Sequence, residues 1–396
     1  MDFVGSRFSF SWVLIHFVFA HFGHHLVTAL PIPLLPMIRN DLTLDYTQSG
    51  FLISAFTLLY GISQAPSGWL ADRISPRILL ANGICGVALC GLFVGLSNSY
   101  IMLVVFMALM GILGGGYHPA APAMISAAVQ RKNLGRAMGL HMVGGSAPFF
   151  LMPLIAVALA GAWGWRGSFI TLAIPAAIFG IVFYVLLGRL PETGKAGHKR
   201  DNAHSRTPSP QIHFHRLVPV MLLSVFTHAV TFSTIAFTPL FLVDEFGMSE
   251  AAGGAFLSIF YSAGLWASVM GGYLSDLWGG VPVILASSFI SGPMIYLMNI
   301  VPFGVGIGFL LFILGIGSYV RTPVSEAYIL KQIPEGRRST ILGLYYFFNI
   351  EGGGILTPVM GFLVDRSGFR AGFGMAGASV VVVSLVCLIW LRGIRD

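Results

Sequence analysis

The first apolar segment of the chain carries an unusual number of imidazole side chains. His21, His24, His25 and Thr28 are separated by three, four and seven residues, so they fall on one stripe of an α-helix. Imidazole ordinarily titrates near pH 6.5 and suits proton transfer or contact with an anion. A lone buried histidine is more often a hydrogen-bonded structural residue, and this alternative stays open for each of them.

Three charged residues lie far along the chain within apolar stretches. Arg321 and Glu326 share one stretch, and Glu351 lies in the middle of the next. A charge at the centre of a membrane helix costs about 2.5–3.5 kcal/mol on insertion scales, so such residues are functional candidates. Arg321 is suited to hold a carboxylate or phosphonate, and Glu351 to carry a proton. The structural alternative is a salt bridge from Arg321 to either glutamate.

The composition explains which elements must position these residues. Hydrophobic residues make up 56% of the 396 residues, and charged residues only 9%. A soluble domain carries about 25% charged residues, so most of this surface must face lipid. We count about twelve apolar stretches of the roughly 20 residues that cross a bilayer. All are predicted to be helices, because unpaired backbone amides are too costly in lipid. The sequence therefore predicts an all-α membrane protein.

Basic residues predict the orientation in the membrane. With a cytoplasmic N-terminus, the inner loops and tails hold 17 of the 22 lysines and arginines, which favours cytoplasmic placement of both termini. The basic residues are scattered over six loops, so no nucleic-acid partner is expected. The three cysteines lie in apolar stretches without a CxxC spacing, and we predict neither a disulfide framework nor a metal site. The pattern suits a bacterial inner membrane.

An internal repeat organises the chain. Identical residues recur at a constant offset of 204 positions, as with Gly111 and Gly315 or Arg166 and Arg370. We predict an N-terminal six-helix bundle at 1–190, a polar cytoplasmic linker at 191–216 and a C-terminal six-helix bundle at 217–396. Because each half has an even number of spans, the repeat is parallel, and a binding site is expected between the halves.

A loop motif adds a family resemblance. Residues 68–77 read GWLADRISPR, and a weaker copy, GYLSDLWGG, stands at 272–280. With twelve spans and two halves, the motif resembles the loop signature of the major facilitator superfamily. The resemblance implies a secondary transporter that works by alternating access. It also implies a conformational or gating role for the motif residues Gly68, Asp72, Arg73, Arg77, Gly272 and Asp276.

The resemblance further implies a central cavity lined by the first, fourth, seventh and tenth spans. Several candidates are repeat partners, such as His24 with His228 and Tyr117 with Arg321. Glu351 and Glu326 are the candidates for proton coupling. The predicted substrate-binding residues are His24, His25, His228, Tyr117, His118, His141, Arg321, Tyr345 and Asn349.

The histidine-rich first span (HFGHHLVTALPIPLLP, 21–36), the GGGYHPAA stretch and the HMVGG stretch at 141–145 are similar to the fosmidomycin-resistance group of exporters. This resemblance implies proton-coupled export of small drug-like or anionic compounds, by a chain that we expect to be monomeric and without a cofactor. The first span has no acidic residue, unlike members of that group. Uptake of a small organic anion is the alternative. A membrane enzyme or a receptor that does not transport is also considered, although no HExxH-type spacing or Walker sequence is present.

Overall fold

The computed structural model describes residues 10–71, 74–128, 134–188, 214–333 and 338–392. The described residues form fourteen α-helices and a short 3-10 turn, without a strand. In the first half these are α1 (Phe10–Thr28), α2 (Leu35–Leu42), α3 (Tyr46–Ala71), α4 (Pro76–Gly95), α5 (Tyr100–Gly114), α6 (Tyr117–Ala128) and α7 (Leu134–Leu187). The second half contains α8 (Phe214–Phe246), α9 (Glu250–Ala255), α10 (Leu257–Ser262), the 3-10 turn Ala263–Leu265, α11 (Ala267–Trp278), α12 (Gly280–Leu297), α13 (Val305–Lys331) and α14 (Arg338–Trp390).

Two of these helices are each a pair of membrane spans. In α7 the backbone leaves the helical region at Gly164 (φ 68°, ψ 172°), and in α14 it does so at Gly368 (φ 75°, ψ 172°). The chain reverses direction at the first break. This is shown by a hydrogen bond from the Ser168 hydroxyl to the carbonyl of Ala156, twelve residues earlier, at 2.9 Å. A straight helix would separate these residues by about 18 Å. A positive φ favours glycine at both reversals.

Length and composition identify seven described helices as apolar enough to cross a membrane. A pair bent by 45°, Glu250–Leu265 and Ala267–Trp278, raises the number to eight if it is one span. The reversals in α7 and α14 add two spans, and α1 and α3 complete the twelve. Exposed apolar side chains such as Ile101 (73%) and Val269 (80%) lie on the outside, as lipid contact requires. The predicted all-α architecture of two six-helix bundles is confirmed.

The repeat is also visible in the packing of the helices. Gly111 of α5 lies against the backbone carbonyl of Phe56, and Gly315 of α13 lies against that of Phe260. Each member of the second pair is 204 residues from its counterpart in the first. Gly164 and Gly368 are separated by the same offset. Both halves therefore use the same close helix approach and the same chain reversal.

The two bundles contact each other near the loop between α2 and α3. Arg39 of α2 forms a salt bridge with Asp244 of α8, and the Tyr46 hydroxyl donates to the same carboxylate at 2.7 Å. Burial by itself lowers the pKa of Arg39, but the hydrogen bond and attraction to Asp244 outweigh burial and raise it. Asp365 of α14 accepts hydrogen bonds from the backbone N–H groups of Tyr46 (3.0 Å) and Thr47 (2.8 Å).

These last bonds have a clear origin in helix chemistry. The first N–H groups of α3 lack partners within the helix and favour a negative charge. Asp45 and Gln48 form a capping box at the same helix start: the Gln48 N–H donates to the Asp45 carboxylate (2.6 Å), and the Asp45 N–H to the Gln48 amide oxygen (3.1 Å). The other bundle supplies Asp365 to the remaining groups. We call this set of contacts, made by Arg39, Tyr46, Thr47, Asp244 and Asp365, the polar seal.

Glycine allows α3 and α14 to pack closely below the polar seal. A Cβ atom on Gly50 would lie 2.8 Å from the carbonyl oxygen of Thr357 and 2.9 Å from the Cα atom of Pro358. One on Gly361 would overlap the backbone of Tyr46, and the Ser54 hydroxyl donates to the carbonyl of Gly354. The seam between these two helices thus depends on small residues on both sides.

The predicted linker, 191–216, lies outside the described residues except for its last three positions. Helix α8 begins at Phe214, so 214–216 belong to the helix that opens the second half. The division into 1–190, 191–216 and 217–396 stays a prediction.

Candidate functional site

Histidine and tyrosine side chains from four helices of the first half, α1, α3, α6 and α7, meet in one buried cluster. Helix α1 contributes His21, His24 and His25, while α6 contributes His118 and α7 contributes His141. The rings of His21 and His141 stack with centroids 4.2 Å apart, and the ring of His118 lies 5.2 Å from that of His21. The spacing of the α1 histidines places them on one face, as predicted, and that face points into the bundle.

Backbone carbonyls and hydroxyls orient these rings. The Nδ1 atom of His21 lies 2.8 Å from the carbonyl oxygen of His141, and Nδ1 of His141 lies 3.1 Å from that of Phe17. A carbonyl oxygen can only accept, so both Nδ1 atoms carry the proton. Nδ1 of His25 shares a hydrogen bond with the Thr28 hydroxyl at 3.0 Å. The Nε2 atom of His21 is buried and has no hydrogen-bond partner in the described part of the chain.

His24 is the most completely bonded member of the cluster. Its Nδ1 atom lies 3.2 Å from the carbonyl oxygen of Gly83 in α4, and its Nε2 atom lies 3.1 Å from the hydroxyl of Tyr60 in α3. The ring of Tyr117 stacks on it with centroids 4.4 Å apart. Tyr60 is a site residue that the sequence did not indicate, because a single tyrosine in an apolar span has no distinguishing pattern.

Gly145 of α7 leaves the space that the ring of His21 occupies. A Cβ atom at this position would overlap that ring. Gly144, its neighbour, lies against the carbonyl oxygen of Val18 in α1. The HMVGG stretch therefore supplies both a ring, His141, and the space that lets α1 approach α7 closely enough for the two imidazoles to stack.

The second half places a fixed positive charge at the repeat position of Tyr117. Arg321 is fully buried in α13, and none of its three guanidinium nitrogens has a hydrogen-bond partner among the residues that the structure describes. The predicted alternative, a salt bridge to Glu351 or Glu326, is therefore not formed. An uncompensated buried charge is costly. This arrangement suits a group that receives an anionic partner from outside the chain.

Polar side chains of α8 and α14 lie in the neighbourhood of Arg321. His228 and Tyr345 are close enough to interact with it electrostatically. The Ser224 hydroxyl is bonded to the hydroxyl of Tyr345 at 2.8 Å and donates to that of Ser325 at 2.9 Å. The Asn349 amide donates to the carbonyl of Tyr345 at 3.0 Å, one turn away on the same helix.

The two glutamates occupy different surroundings. Glu351 is buried at the seam between α3 and α14, where its Oε1 atom lies against Gly61 and has no hydrogen-bond partner within the described ranges. Glu326 is partly buried in α13 and forms a hydrogen bond with Tyr346 of α14. A Cβ atom on Gly61 would overlap the Glu351 carboxylate, so this glycine makes the space that the carboxylate occupies.

The loop motif can be followed in part. Asp72 and Arg73 lie outside the described residues. The Nε atom of Arg77 donates to the carbonyl of Tyr184 at 2.7 Å, and its guanidinium lies 4.0 Å from the centroid of the Tyr184 ring. Arg77 thus ties α4 to the second span of α7. Gly68 lies within α3, while Gly272 and Asp276 lie on exposed positions of α11.

The predicted site residues therefore form two groups, one in each half. The first contains His24, His25, Tyr117, His118 and His141, and Tyr60 joins it. The second contains His228, Arg321, Glu326, Tyr345 and Asn349, while Glu351 lies apart at the seam. That both groups line one shared cavity stays a prediction.

Comparisons with known proteins extend these findings. The sequence profile of the Major Facilitator Superfamily matches residues 17–257 and 220–395. The chain is 26% identical over 374 residues to the multidrug resistance protein MdtG of Enterobacter lignolyticus, which covers 90% of this chain and 87% of that protein. It is 33% identical over 149 residues to a probable L-galactonate transporter of Escherichia coli, which covers 38% and 33%.

Solved structures agree on the fold. A bacterial homologue of the human lysosomal transporter Spinster, inward-facing and occupied, superposes with a TM-score of 0.77 at 18% identity, covering 98% of this chain and 97% of that one. A POT family transporter in complex with 5-aminolevulinic acid gives a TM-score of 0.78 at 16% identity, covering 97% of each chain. With the profile matching both halves, and with the twelve-span repeat on which the matched residues lie, the chain belongs to the Major Facilitator Superfamily, as its loop motif predicted.

Proposed function

We propose that this transporter exports small anionic or amphipathic compounds in exchange for protons. The observation that carries the proposal is Arg321, which is fully buried with all three guanidinium nitrogens unpartnered. A carboxylate or phosphonate would accept two parallel hydrogen bonds from it and remove the cost of the isolated charge. His228 beside it offers a further hydrogen bond to the bound anion, and Tyr345 would offer another on releasing the Ser224 hydroxyl.

Glu351 is the proposed proton carrier. Its carboxylate is buried at the α3–α14 seam with one oxygen unpartnered. A proton on this group would remove a charge from the seam and favour its closure, while loss of the proton would favour its opening. Glu326, bonded to Tyr346, is the second candidate. Because the seam joins the two bundles, protonation there would bias the alternation between open and closed states.

The likeness to MdtG over nine-tenths of the chain favours export. The likeness to the probable L-galactonate transporter favours the second candidate, uptake of an organic anion, but it extends over 38% of the chain. The same groups would serve either direction. We propose an inner-membrane monomer with both termini in the cytoplasm, for which the distribution of basic residues is the support.

Vesicles of opposite orientation test the direction. For export, everted membrane vesicles with an acidic lumen should accumulate a labelled organic anion from a screened panel. For uptake, right-side-out vesicles in acidic medium should accumulate it. The Glu351→Gln variant, matched for expression, should lose the dependence on the pH gradient in either case. Accumulation that ignores the pH gradient in the unaltered protein would contradict proton coupling, and an absence of flux across the panel would contradict the proposed substrate class.

A further inference from the structure

Three histidines of the first half have the arrangement of metal ligands. One ring nitrogen from each of His21, His25 and His118 lies within 4.8 Å of the other two. Two come from adjacent turns of α1, and the third comes from α6. Their spacing in the sequence matches no metal-binding motif, and no metal site could be predicted from it. The fold brings them together.

The hydrogen bonds select the nitrogens that are free to bind. The Nδ1 atom of His21 donates to the carbonyl of His141, so its Nε2 atom has a lone pair available, and this buried atom has no partner. Nδ1 of His25 is engaged by Thr28, which leaves Nε2. Metal-binding histidines commonly donate their other ring N–H to a carbonyl or hydroxyl, which fixes the ring and its tautomer. His21 has this outer support, and His25 has it in the tautomer whose Nδ1 carries the proton.

The geometry fits a small ion after a short movement. With metal–nitrogen bonds of 2.0–2.1 Å, tetrahedral ligands stand about 3.3 Å apart. The three rings each offer a nitrogen within 4.8 Å of the other two, so these nitrogens need to converge by up to about 1.5 Å to reach that spacing. His118 is only partly buried, whereas His21 and His25 are buried. Three imidazoles leave a fourth position, which is typical of zinc sites that keep an exchangeable ligand.

We propose that His21, His25 and His118 bind one divalent transition-metal ion of the zinc class, with water or an oxygen of the cargo in the fourth position. Imidazole suits Zn²⁺, Co²⁺, Ni²⁺ and Cu²⁺ rather than Mg²⁺ or Ca²⁺. His24 is excluded as a ligand, because Gly83 and Tyr60 occupy both of its nitrogens. Binding of the ion does not depend on the direction of transport or on Arg321.

The test is a titration of the full-length chain, purified in detergent without a polyhistidine tag, with Co²⁺ and in parallel with Zn²⁺. Co²⁺ in a tetrahedral site absorbs visible light intensely. Calorimetry with Zn²⁺ gives the affinity and the stoichiometry of metal binding. We expect one ion per chain. Changing the linker histidines His198, His204 and His213, together with His215 at the start of α8, to alanine removes background binding and should leave this ion in place.

Two ligand variants and two controls make the result specific. His21→Ala and His118→Ala should weaken binding by more than about 100-fold, beyond the 10–100-fold typical of an outer-shell change. His228→Ala, in the other half, should not alter it. His118→Cys should keep the ion and add thiolate-to-cobalt absorption, which a misfolded variant would not show.

Several results would overturn the proposal. They are the absence of tetrahedral cobalt absorption, binding that survives in His21→Ala and His118→Ala, or binding that disappears with the linker histidines. None of these results bears on anion transport through Arg321, which the vesicle assay measures separately. Failure of this proposal and failure of the proposed function are therefore distinguishable.

Discussion

The buried charge of Arg321 is not balanced by a hydrogen bond among the described residues. A guanidinium without hydrogen-bond partners in a buried position lowers the stability of the folded chain, and replacement of a buried charge by an apolar side chain of similar volume is often neutral or stabilising. The cost is consistent with a site that is completed by its cargo. A membrane protein retains such a residue at a functional position more readily than as a packing element.

This reasoning predicts opposite effects of Arg321→Met on stability and binding. The variant should be as stable as the original chain without ligand, or more stable, because the unpaired charge is gone. It should also lose the stabilisation that an organic anion gives, since a hydrogen bond to a charged group contributes about 1.5–3 kcal/mol. Thermal unfolding with and without the anion measures both effects.

Arg370→Ala is the matched control, because Arg370 is exposed at the start of α14's second span, where its backbone carbonyl accepts a hydrogen bond from Asn299. It should keep the anion-dependent stabilisation. A large loss of stability in Arg321→Met without ligand would contradict this account and would indicate that the guanidinium is a structural group.

At the residue scale we also expect a specific effect of Tyr60→Phe. The change removes the hydroxyl that bonds Nε2 of His24 and leaves a buried imidazole nitrogen without a partner, which costs about 1–3 kcal/mol. The free energy of unfolding should fall by that amount. His24→Phe in the same background should cost less than in the original chain, because the hydrogen bond is already lost. Additive losses in this double-mutant cycle would show that the two groups are not coupled.

At the scale of helices, the seam between α3 and α14 is the element most sensitive to size. Gly361→Ala and Gly50→Ala would each push a methyl group into backbone atoms of the facing helix, and backbone cannot move aside as a side-chain tip can. We expect the closed seam to be weakened by about 1–3 kcal/mol, as for other overpacked contacts. The yield of a disulfide between cysteines that replace Thr47 and Asp365 in the polar seal should fall accordingly.

Gly343→Ala provides the control within α14, because nothing lies within 4 Å of the position where its Cβ would stand. Equal cross-linking in all three variants would mean that the helices approach less closely than described here. The same comparison on transport rate would show whether formation of the seam limits the cycle.

The helices also show what could be predicted from the sequence. Apolar length and the offset of 204 positions correctly predicted twelve spans in two bundles, and the spacing in α1 predicted that its histidines share a face. The partners of these residues could not be predicted in the same way. Asp365 meets the start of α3 from 319 positions away, and Tyr60 meets His24 from another helix. Such pairs depend on how helices are rotated and tilted, which local periodicity does not encode.

For the whole molecule, the polar seal predicts a conformational lock. Changing Thr47 and Asp365 together to cysteine, with Cys85, Cys90 and Cys387 replaced by alanine, should allow a disulfide between the bundles, since these two side chains are bonded to each other in the closed seal. Oxidation should stop transport, and reduction should restore it. Both are read as flux into vesicles from the same preparation.

Either single-cysteine chain serves as the control, and each should transport equally with and without oxidant. Undiminished flux through the cross-linked chain would contradict alternating access that opens at this end. A cross-link that forms only in the presence of substrate would instead indicate that the closed seal is the loaded state, and the timing of closure would then follow from its dependence on anion concentration.

The unequal chemistry of the two halves has an electrical consequence. Helices α13 and α14 carry Arg321, Glu326 and Glu351, whereas the first half carries uncharged tyrosine, proline and alanine side chains at the repeat positions 117, 122 and 147. A charge that crosses the full membrane potential changes energy by about 2.3 kcal/mol per 100 mV. Rocking of the second bundle would therefore move these charges through the membrane field, whereas rocking of the first bundle would not. The resting voltage of the cell would then favour one position of the second bundle over the other.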